Sequence, residues 1–198
     1  MTLRQIAVFE TALTECEVSS SQYCIHAANS AASLRFPQAR YSALRCGIAL
    51  YGASPFGKET QIENLHSVMS LKSRITEVRH VLQGCSVSYG ATWTAQHDSK
   101  IALVPMGYAD GYSRALSNCG EVLIRSRRCP IVGRVTMDQI LVDATGLSPG
   151  IQTGELVTAW GKDESGVLLP VEEVASKTGT ISYELLCGVA SRVPRIYV

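Results

Sequence analysis

Residues 44 to 52 read Leu-Arg-Cys-Gly-Ile-Ala-Leu-Tyr-Gly, an apolar run that carries one arginine and ends at a glycine. A run without alternation of polar and apolar residues predicts a strand buried on both faces. The preceding run, Tyr23-Cys-Ile-His-Ala-Ala28, has the same character, and Asn29 and Ser30 follow it where a short helix would begin. The two runs therefore predict neighbouring parallel strands.

A helix is predicted upstream of both runs, because apolar residues recur at positions 6, 9, 13 and 16. Residues 1 to 57 thus predict helix, strand, short helix and strand, the order found in a parallel α/β sheet or barrel. Two strands cannot close a barrel, and alone they would leave unpaired sheet edges. We therefore expect low stability in this segment.

The pattern changes to a period of two after residue 66. Met69, Leu71 and Ile75 alternate with polar residues, as a half-solvated antiparallel strand requires. Strand-like runs recur beyond that point, and one amphipathic helix follows them. The strands are predicted at 100–105, 121–125, 131–135, 140–144 and 156–160, and the helix at 170–179.

Composition narrows the class of protein. The 198 residues are 46% hydrophobic and 18% charged, with 18 basic and 17 acidic side chains, so the chain can bury a core and has no general attraction to nucleic acid or acidic lipid. No apolar run is long enough to span a membrane, and the N-terminus does not have the layout of a signal peptide. The 7 cysteines show no metal-ligand spacing, so we expect no metal site and reduced thiols that act as small core residues in a bacterial cytoplasm.

A possible anion site involves Ser30, Arg45, Gly47 and Ile48. A serine at the start of a helix and glycine-rich backbone suit a phosphate, and the ends of neighbouring parallel strands would bring them together. Ordinary helix capping by Asn29 and Ser30 is the alternative. The arginine inside an apolar run needs an acceptor, either a ligand or a structural ion pair.

Tyr89 lies immediately before a glycine among small polar residues, a setting that favours the rim of a site over a core; an amphipathic rim tyrosine without chemistry is the alternative. Three further segments, 106–112, 135–139 and 180–186, combine a tyrosine or methionine with an acid or glycine in predicted turns. The arginines at 125, 127, 128 and 134 are interpreted as the solvated tip of a hairpin.

Taken in order, seven motifs resemble the C-terminal half of the pyridoxal-phosphate-dependent alanine racemases. They are HAANSAA (26–32), LRCGIALYG (44–52), VSYGATWTA (87–95), MGYADGYSR (106–114), GRVTMDQ (133–139), TISYELLCG (180–188) and RVPRIY (192–197). The resemblance implies that residues 1–60 are the last units of a TIM-like, cofactor-binding (β/α)8 barrel and that residues 61–198 are a mostly antiparallel β domain. It also implies a cytoplasmic bacterial homodimer with shared active sites, which interconverts L- and D-alanine for peptidoglycan synthesis.

The same resemblance assigns roles to individual residues. Tyr89 would be a catalytic base that serves the active site of the partner subunit, opposite the lysine that anchors the cofactor. Tyr108 and the backbone of Met137 would contact the substrate carboxylate. The cofactor pyridoxal 5'-phosphate (PLP) would be held by Ser30, Arg45, Gly47, Ile48 and Tyr183, with Arg45 at the pyridine nitrogen.

One family feature is missing from the sequence. The lysines are at 58, 72, 100, 162 and 177, and none lies in a motif like the family's K-A-N-A-Y-G. We therefore expect a C-terminal part of a racemase that is inactive alone. Two alternatives stay open: a non-catalytic dimerisation or ligand-binding β module, and part of a racemase for serine or a broader range of amino acids.

Overall fold

The computed structural model describes residues 2–57 and 64–198. The predicted boundary between domains, after residue 60, falls outside the described residues and stays a prediction. Lys58 lies outside them as well.

The first described segment contains the predicted helix, strand, helix and strand. Helix α1 spans Thr2–Glu15, strand β1 spans His26–Asn29, helix α2 spans Ser30–Arg35 and strand β2 spans Ala43–Arg45. Strands β1 and β2 pair in parallel. The parallel arrangement agrees with the prediction, but two strands do not establish a barrel, which stays a prediction.

The second strand is much shorter than predicted. The expectation of a buried strand through residue 51 is wrong, because the chain turns at Gly47 and forms a 3-10 turn over Ile48–Tyr51 that ends at Gly52. Gly52 has a φ of 70°, and a Cβ there would stand 1.8 Å from the carbonyl oxygen of His66. Glycine is therefore required where the chain leaves this turn.

The β domain begins with a hairpin-rich series of short strands. They are β3 (Leu71–Arg74), β4 (Glu77–Val81), β5 (Ser86–Val87), β6 (Trp93–Thr94), β7 (Ser99–Val104), β8 (Glu121–Ile124), β9 (Arg127–Pro130), β10 (Ile140–Asp143), β11 (Leu156–Lys162) and β12 (Leu168–Leu169). Helices α3 (Val171–Lys177) and α4 (Ser182–Cys187) follow. Among the described residues, two larger antiparallel sheets run in the orders β10-β7-β4 and β12-β11-β8-β9, with β3 paired to β11, and β5 pairs with β6 in a separate antiparallel sheet.

The strand predicted over 131–135 is wrong. The strand at this point is Arg127–Pro130, which pairs with β8, and Ile131 adds a single bridge to Val142. Gly133 has a φ of 75° and its position faces the Ser88 side chain, so the chain turns there and cannot continue as a strand. The predictions at 100–105, 121–125, 140–144, 156–160 and 170–179 match elements whose bounds differ by at most two residues.

One large hydrophobic core joins the β domain to the end of the first segment. Ile48 and Ala53 belong to the same buried cluster as Trp160, Val142 and Leu185. A hydrogen bond from the Ser54 amide to Glu172 Oε1, at 2.6 Å, reinforces the junction. Residues 48–54 are therefore packed as part of the β domain, although they follow the parallel strands in the chain.

The rest of the first segment has little core of its own. Its buried hydrophobic cluster consists of Ile6, Ala28 and Ala39, with Ala32 and Phe36 packed against it. Two alanines and one isoleucine bury little apolar area, and buried area sets the hydrophobic stabilisation. The small cluster supports the expectation of low stability in this segment, which stays a prediction.

The cysteines differ from the expectation that they fill the core. Cys16, Cys24, Cys85, Cys119 and Cys187 are exposed, and all are free thiols. Cys129 is buried, and burial raises the pKa of its thiol to about 11. The core role is correct for Cys129 and wrong for the five exposed thiols.

Hydrogen exchange of the 198-residue chain should show a fast-exchanging part before about residue 46 and a slow-exchanging part after it. We expect backbone amides in α1, β1 and β2 to exchange faster than those in β7, β10 and β11 by roughly tenfold or more, because the small cluster allows local opening. Amides of residues 48–53 should exchange slowly with the β domain. Uniform protection from residue 2 to residue 198, measured by mass spectrometry of peptides, would contradict this division.

Candidate active site

Ser30 lies at the centre of a group of backbone donors. It is the first residue of α2, and its side chain is buried, with an exposed fraction of 3%. Its hydroxyl oxygen accepts hydrogen bonds from the amides of Gly47 at 2.9 Å and Ala49 at 3.3 Å. We call Ser30, Gly47, Ile48 and Ala49 the Ser30 cradle.

The geometry of the cradle follows from the strand order. The side chain of Asn29 caps α2 by accepting a hydrogen bond from the Ala32 amide, which leaves the Ser30 hydroxyl to contact the neighbouring turn. That turn starts at Gly47, two residues after β2 ends, so the carboxyl ends of both parallel strands meet here. Convergent amides and a hydroxyl at such a point suit an anion such as phosphate.

Arg45 lies beside the cradle but is not buried as expected. It is exposed at the end of β2, and its Nη1 is 3.1 Å from His26 Nδ1 and 3.4 Å from the His26 carbonyl oxygen. Because guanidinium nitrogens only donate, the first contact requires His26 Nδ1 to be the accepting nitrogen. The acceptor expected for this arginine is therefore His26, the first residue of the neighbouring strand β1.

Tyr89 stands on a tightly held loop with its side chain exposed. The exposed fraction is 73%, and Ser88, Gly90 and Ala91 around it all have positive φ values. The Ser88 hydroxyl accepts a hydrogen bond from the Arg134 amide and donates one to the Arg134 carbonyl oxygen, each at 3.0 Å. The backbone is therefore fixed while the phenol is free to reach outward.

A cleft of about 760 Å³ opens beside Tyr89. Its walls come from β4, β7 and β10 and from the loop that contains Arg134 and Thr136. Its lining residues fall between 77 and 141, so neither Arg45 nor the Ser30 cradle contributes to it. Within this chain, Tyr89 and Arg45 occupy different sites.

Two loops bring Tyr108 and Met137 together. The amide of Tyr108 donates to the carbonyl oxygen of Thr136, and the amide of Ala109 donates to that of Met137, each at 3.0 Å. A Cβ on Gly107 would stand 2.3 Å from the Thr136 carbonyl oxygen, so the approach depends on glycine. Thr136 also lines the cleft beside Tyr89, which places both loops next to that cleft.

Tyr183 is the exception among the predicted site residues. It lies in the first turn of α4, so the prediction of a turn over residues 180–186 is wrong. Helix α4 packs against α3, and the Tyr183 side chain is partly exposed. Among the described residues, no hydrogen bond joins Tyr183 to the Ser30 cradle.

The sequence reasoning missed an arginine that joins the loops of Tyr108 and Met137. Arg192 Nε is 2.8 Å from Asp110 Oδ1, and its Nη2 is 2.6 Å from Asp138 Oδ1. Hydrogen bonds to Asp110 and then to Asp138 raise the pKa of Arg192 further above its ordinary value. The sequence offers one signal for this contact, since Asp110 and Asp138 each lie in a predicted turn beside a candidate site residue. The arginine that pairs with them is far away in the sequence, so the pattern does not identify it.

The interpretation of four arginines as a solvated hairpin tip is correct for Arg125, Arg127 and Arg128, which are exposed at the β8–β9 hairpin, and wrong for Arg134. Arg125 pairs with Glu155 at 2.6 Å, and Arg128 pairs with Glu173 and Glu121. Pairing with Arg125 lowers the pKa of Glu155. Arg134 is not in the hairpin but lies against Gly90 on the loop of Tyr89.

Comparison with known proteins places these features in a family. Two family models match the chain: the alanine racemase N-terminal domain over residues 1–55 and the alanine racemase C-terminal domain over residues 68–197. An alanine racemase from Desulfovibrio desulfuricans is 42% identical over 197 residues, which cover 99% of this chain and 52% of that protein. One from Piscirickettsia salmonis is 43% identical over 170 residues, or 85% of this chain and 99% of that protein.

Solved structures agree with the sequence matches. Alanine racemase from Bartonella henselae, with covalently bound pyridoxal phosphate, superposes with a TM-score of 0.85 at 32% identity over 100% of this chain and 52% of that one. The enzyme from Bacillus anthracis with bound L-Ala-P gives a TM-score of 0.82 at 36% identity over 99% of this chain and 50% of that one.

The fold and the matches define the class: the alanine racemases, a family of PLP-dependent isomerases. The chain belongs to the alanine racemase family. It spans about half the length of the Desulfovibrio relative and of both solved structures. In the part of the chain that the structure describes, no helix is long and apolar enough to cross a membrane.

Gly107→Ala should destabilise the β domain and disturb the loops of Tyr108 and Met137. The added Cβ would meet backbone oxygens of Thr136 and Met137 at 2.3 and 2.4 Å, and these cannot rotate away. We expect a loss of about 1–3 kcal/mol in the free energy of unfolding, measured with urea. The matched control is Gly146→Ala, where a Cβ would meet nothing within 4 Å; an equal loss in both variants would contradict the close approach.

Proposed function

We propose that this chain supplies the C-terminal half of a PLP-dependent alanine racemase, which interconverts L- and D-alanine when the lysine-bearing half is also present. The observation that carries the proposal is the Ser30 cradle, in which two backbone amides converge on a buried serine hydroxyl beside an arginine. The order of the seven motifs in the chain also supports a racemase half, as do the relatives of the chain, which are alanine racemases.

The residues of the cradle fit the phosphate of PLP. Hydroxyl and amide donors at the ends of two parallel strands are the groups that bind phosphate in α/β proteins. A Cβ placed at Gly47 would meet nothing within 4 Å, so there is open space beside the amides. The Gly47 amide donates to the Ser30 oxygen in this structure and would exchange that bond for one to the phosphate. Ser30, Gly47 and Ile48 would then hold the phosphate, and Tyr183 would add its hydroxyl.

Arg45 would set the electronic character of the ring. When bound, PLP supplies an electron-withdrawing ring that makes the hydrogen on Cα of an amino acid acidic. A guanidinium can only donate hydrogen bonds, so Arg45 beside the pyridine nitrogen would disfavour a proton on that nitrogen. That weakens the electron withdrawal and favours return of the proton to the same carbon, which is racemisation.

Tyr89 would hold and release the proton on one face of that carbon. Inversion at Cα requires a proton acceptor on one face and a donor on the other, so two separate groups must flank it. The exposed phenol on a fixed backbone suits this role. Because its cleft is lined by residues 77–141 and excludes Arg45, Tyr89 would act on the cradle of a second copy, which makes a homodimer with shared sites our proposal.

Tyr108 and Met137 would bind the substrate carboxylate. A phenol and a backbone amide both donate hydrogen bonds, and together they would orient the amino acid so that Cα lies between the two proton-transfer groups. The short fixed separation of their loops favours a small substrate such as alanine. The substrate class is therefore a free α-amino acid with a small side chain.

The second proton-transfer group would come from outside the described residues. No lysine occurs in residues 2–57, and the described lysines, at 72, 100, 162 and 177, all belong to the β domain. We propose that the chain is inactive alone for this reason. The five exposed free thiols suit a reducing bacterial cytoplasm, where D-alanine would serve peptidoglycan synthesis.

Complementation tests the proposed activity. We expect the 198-residue chain, mixed with PLP and an N-terminal fragment of a relative that carries the lysine, to convert L-alanine to D-alanine, while either part alone does not. Tyr89→Phe should lower kcat by roughly 10²- to 10⁴-fold, the usual contribution of a general acid or base. Tyr197→Phe, at another exposed phenol, is the matched control and should leave kcat unchanged.

Two results would contradict the proposal. A folded mixture without racemisation would favour a non-catalytic β module. Faster turnover of serine than of alanine would favour a racemase of different specificity.

The phosphate role of Ser30 can be tested by binding. We expect Ser30→Ala to weaken the affinity of the mixture for PLP by roughly tenfold, since one hydrogen bond to a charged group is lost. Ser33→Ala is the control, because the Ser33 hydroxyl donates to the Ser30 carbonyl oxygen within α2. Equal PLP affinity in the unsubstituted mixture and the Ser30→Ala mixture, read from absorbance titration, would remove the cradle from the site.

A further inference from the structure

Arg192 connects two loops that are distant in the sequence. One is the 107 loop, residues 107–111, and the other is the 136 loop, residues 136–139. The guanidinium reaches Asp110 through Nε at 2.8 Å and Asp138 through Nη2 at 2.6 Å. A single side chain from the C-terminal segment therefore bridges one carboxylate on each loop.

Both oxygens of Asp110 are used in this arrangement. Oδ1 accepts from Arg192, and Oδ2 accepts from the Gly107 amide at 2.8 Å, immediately before Tyr108. The Asp110 carbonyl oxygen also accepts from the Ala190 amide at 3.1 Å. The 107 loop is thereby tied to the C-terminal segment at Ala190 and at Arg192.

The exposure of these charges argues against a role in stability. The exposed side-chain fractions are 51% for Arg192 and 58% for Asp138, whereas Asp110 is mostly covered at 14%. Ion pairs at such exposure contribute little to stability because water and salt screen them. What the guanidinium does provide is geometry, since its planar fork fixes the directions of both contacts.

We propose that Arg192 is a positioning residue for the substrate carboxylate, which holds the loops of Tyr108 and Met137 at a fixed separation. The proposal rests on the proposed racemase function and deepens it. Arg192 does not touch substrate; it acts through Asp110 on the 107 loop and through Asp138, next to Met137, on the 136 loop. The ligand it serves is the α-carboxylate of a small amino acid.

The geometry makes a specific demand on the side chain at position 192. Two donors on different nitrogens must reach two carboxylates at once. An ammonium group carries the charge but presents one nitrogen, so a lysine can approach one carboxylate well and not both. A comparison of arginine, lysine and glutamine at position 192 therefore separates two effects. Lysine keeps the positive charge but loses the two-nitrogen geometry, and glutamine loses the charge.

Steady-state kinetics of the complemented enzyme test the proposal. We expect Arg192→Gln to raise KM for alanine by roughly tenfold with kcat changed by less than about threefold, because binding of the carboxylate is weakened while the proton-transfer groups stay in place. Arg192→Lys should recover part of the KM. Arg125→Gln, which breaks an exposed bidentate pair with Glu155, is the matched control and should leave KM unchanged.

A second readout does not depend on activity. In the 198-residue chain alone, Arg192→Gln should speed exchange of the amides of Tyr108 and Ala109, which bond to the 136 loop, and leave the amides of β7 unchanged. Faster exchange together with the rise in KM supports the proposal. Unchanged exchange, an unchanged KM or a loss confined to kcat overturns it.

Different results would contradict the proposed racemase function and the proposed positioning role of Arg192. If the unsubstituted mixture does not racemise alanine, the proposed function fails and the role of Arg192 toward substrate fails with it. If the mixture is active and the Arg192 and Arg125 variants behave alike, the positioning role alone is wrong.

Discussion

One 3-10 turn, Ile48–Tyr51, connects the anion site to the stability of the β domain. The side chain of Ile48 is buried in the large core, while the amides of its neighbours, Gly47 and Ala49, point at the Ser30 hydroxyl. The parallel strands have little core of their own, so the position of the cradle depends on the packing of this turn against the β domain. The glycine at 52 and the bond from Ser54 to Glu172 hold the turn from its other end.

Periodicity in the sequence predicted most of the fold, because the physical signal is local. The alternation around Leu71 and Ile75 gave β3, and the capping residue Asn29 with the following Ser30 gave the start of α2. Strand β4, Glu77–Val81, went unpredicted because three of its five residues are polar and its identity as a strand comes from pairing with β7. The apolar residues at 131–135 suggested a strand. The chain turns there because Gly133 has a positive φ and lies against the side chain of Ser88.

The sequence identified most residues of the candidate site, but it did not predict which other residues they contact. Motifs pointed to Tyr89, Tyr108 and Met137, but Arg192 contacts Asp110 across 82 residues and Asp138 across 54, separations over which no pattern in the sequence operates. The burial of Arg45 was predicted from its apolar neighbours and is wrong, because strand β2 ends at that residue and the chain turns away. The family resemblance gave each of these residues an expected role, whereas the structure shows which residues hold their loops in place.

The candidate functional groups share one physical design, in which the backbone is fixed and the side-chain end is free. The Tyr89 loop is fixed by two bonds between Ser88 and Arg134, and the loops of Tyr108 and Met137 are fixed to each other. Each of these three side chains is itself exposed. A group held in place by its backbone needs little reorganisation when a ligand arrives, which favours catalysis. An exposed group, however, keeps its water, and proton transfer at carbon requires a site from which water is excluded. Under the proposed function, the walls that exclude water from Tyr89 would come from a surface other than the described residues of this single chain, and the proposed second copy would supply that surface.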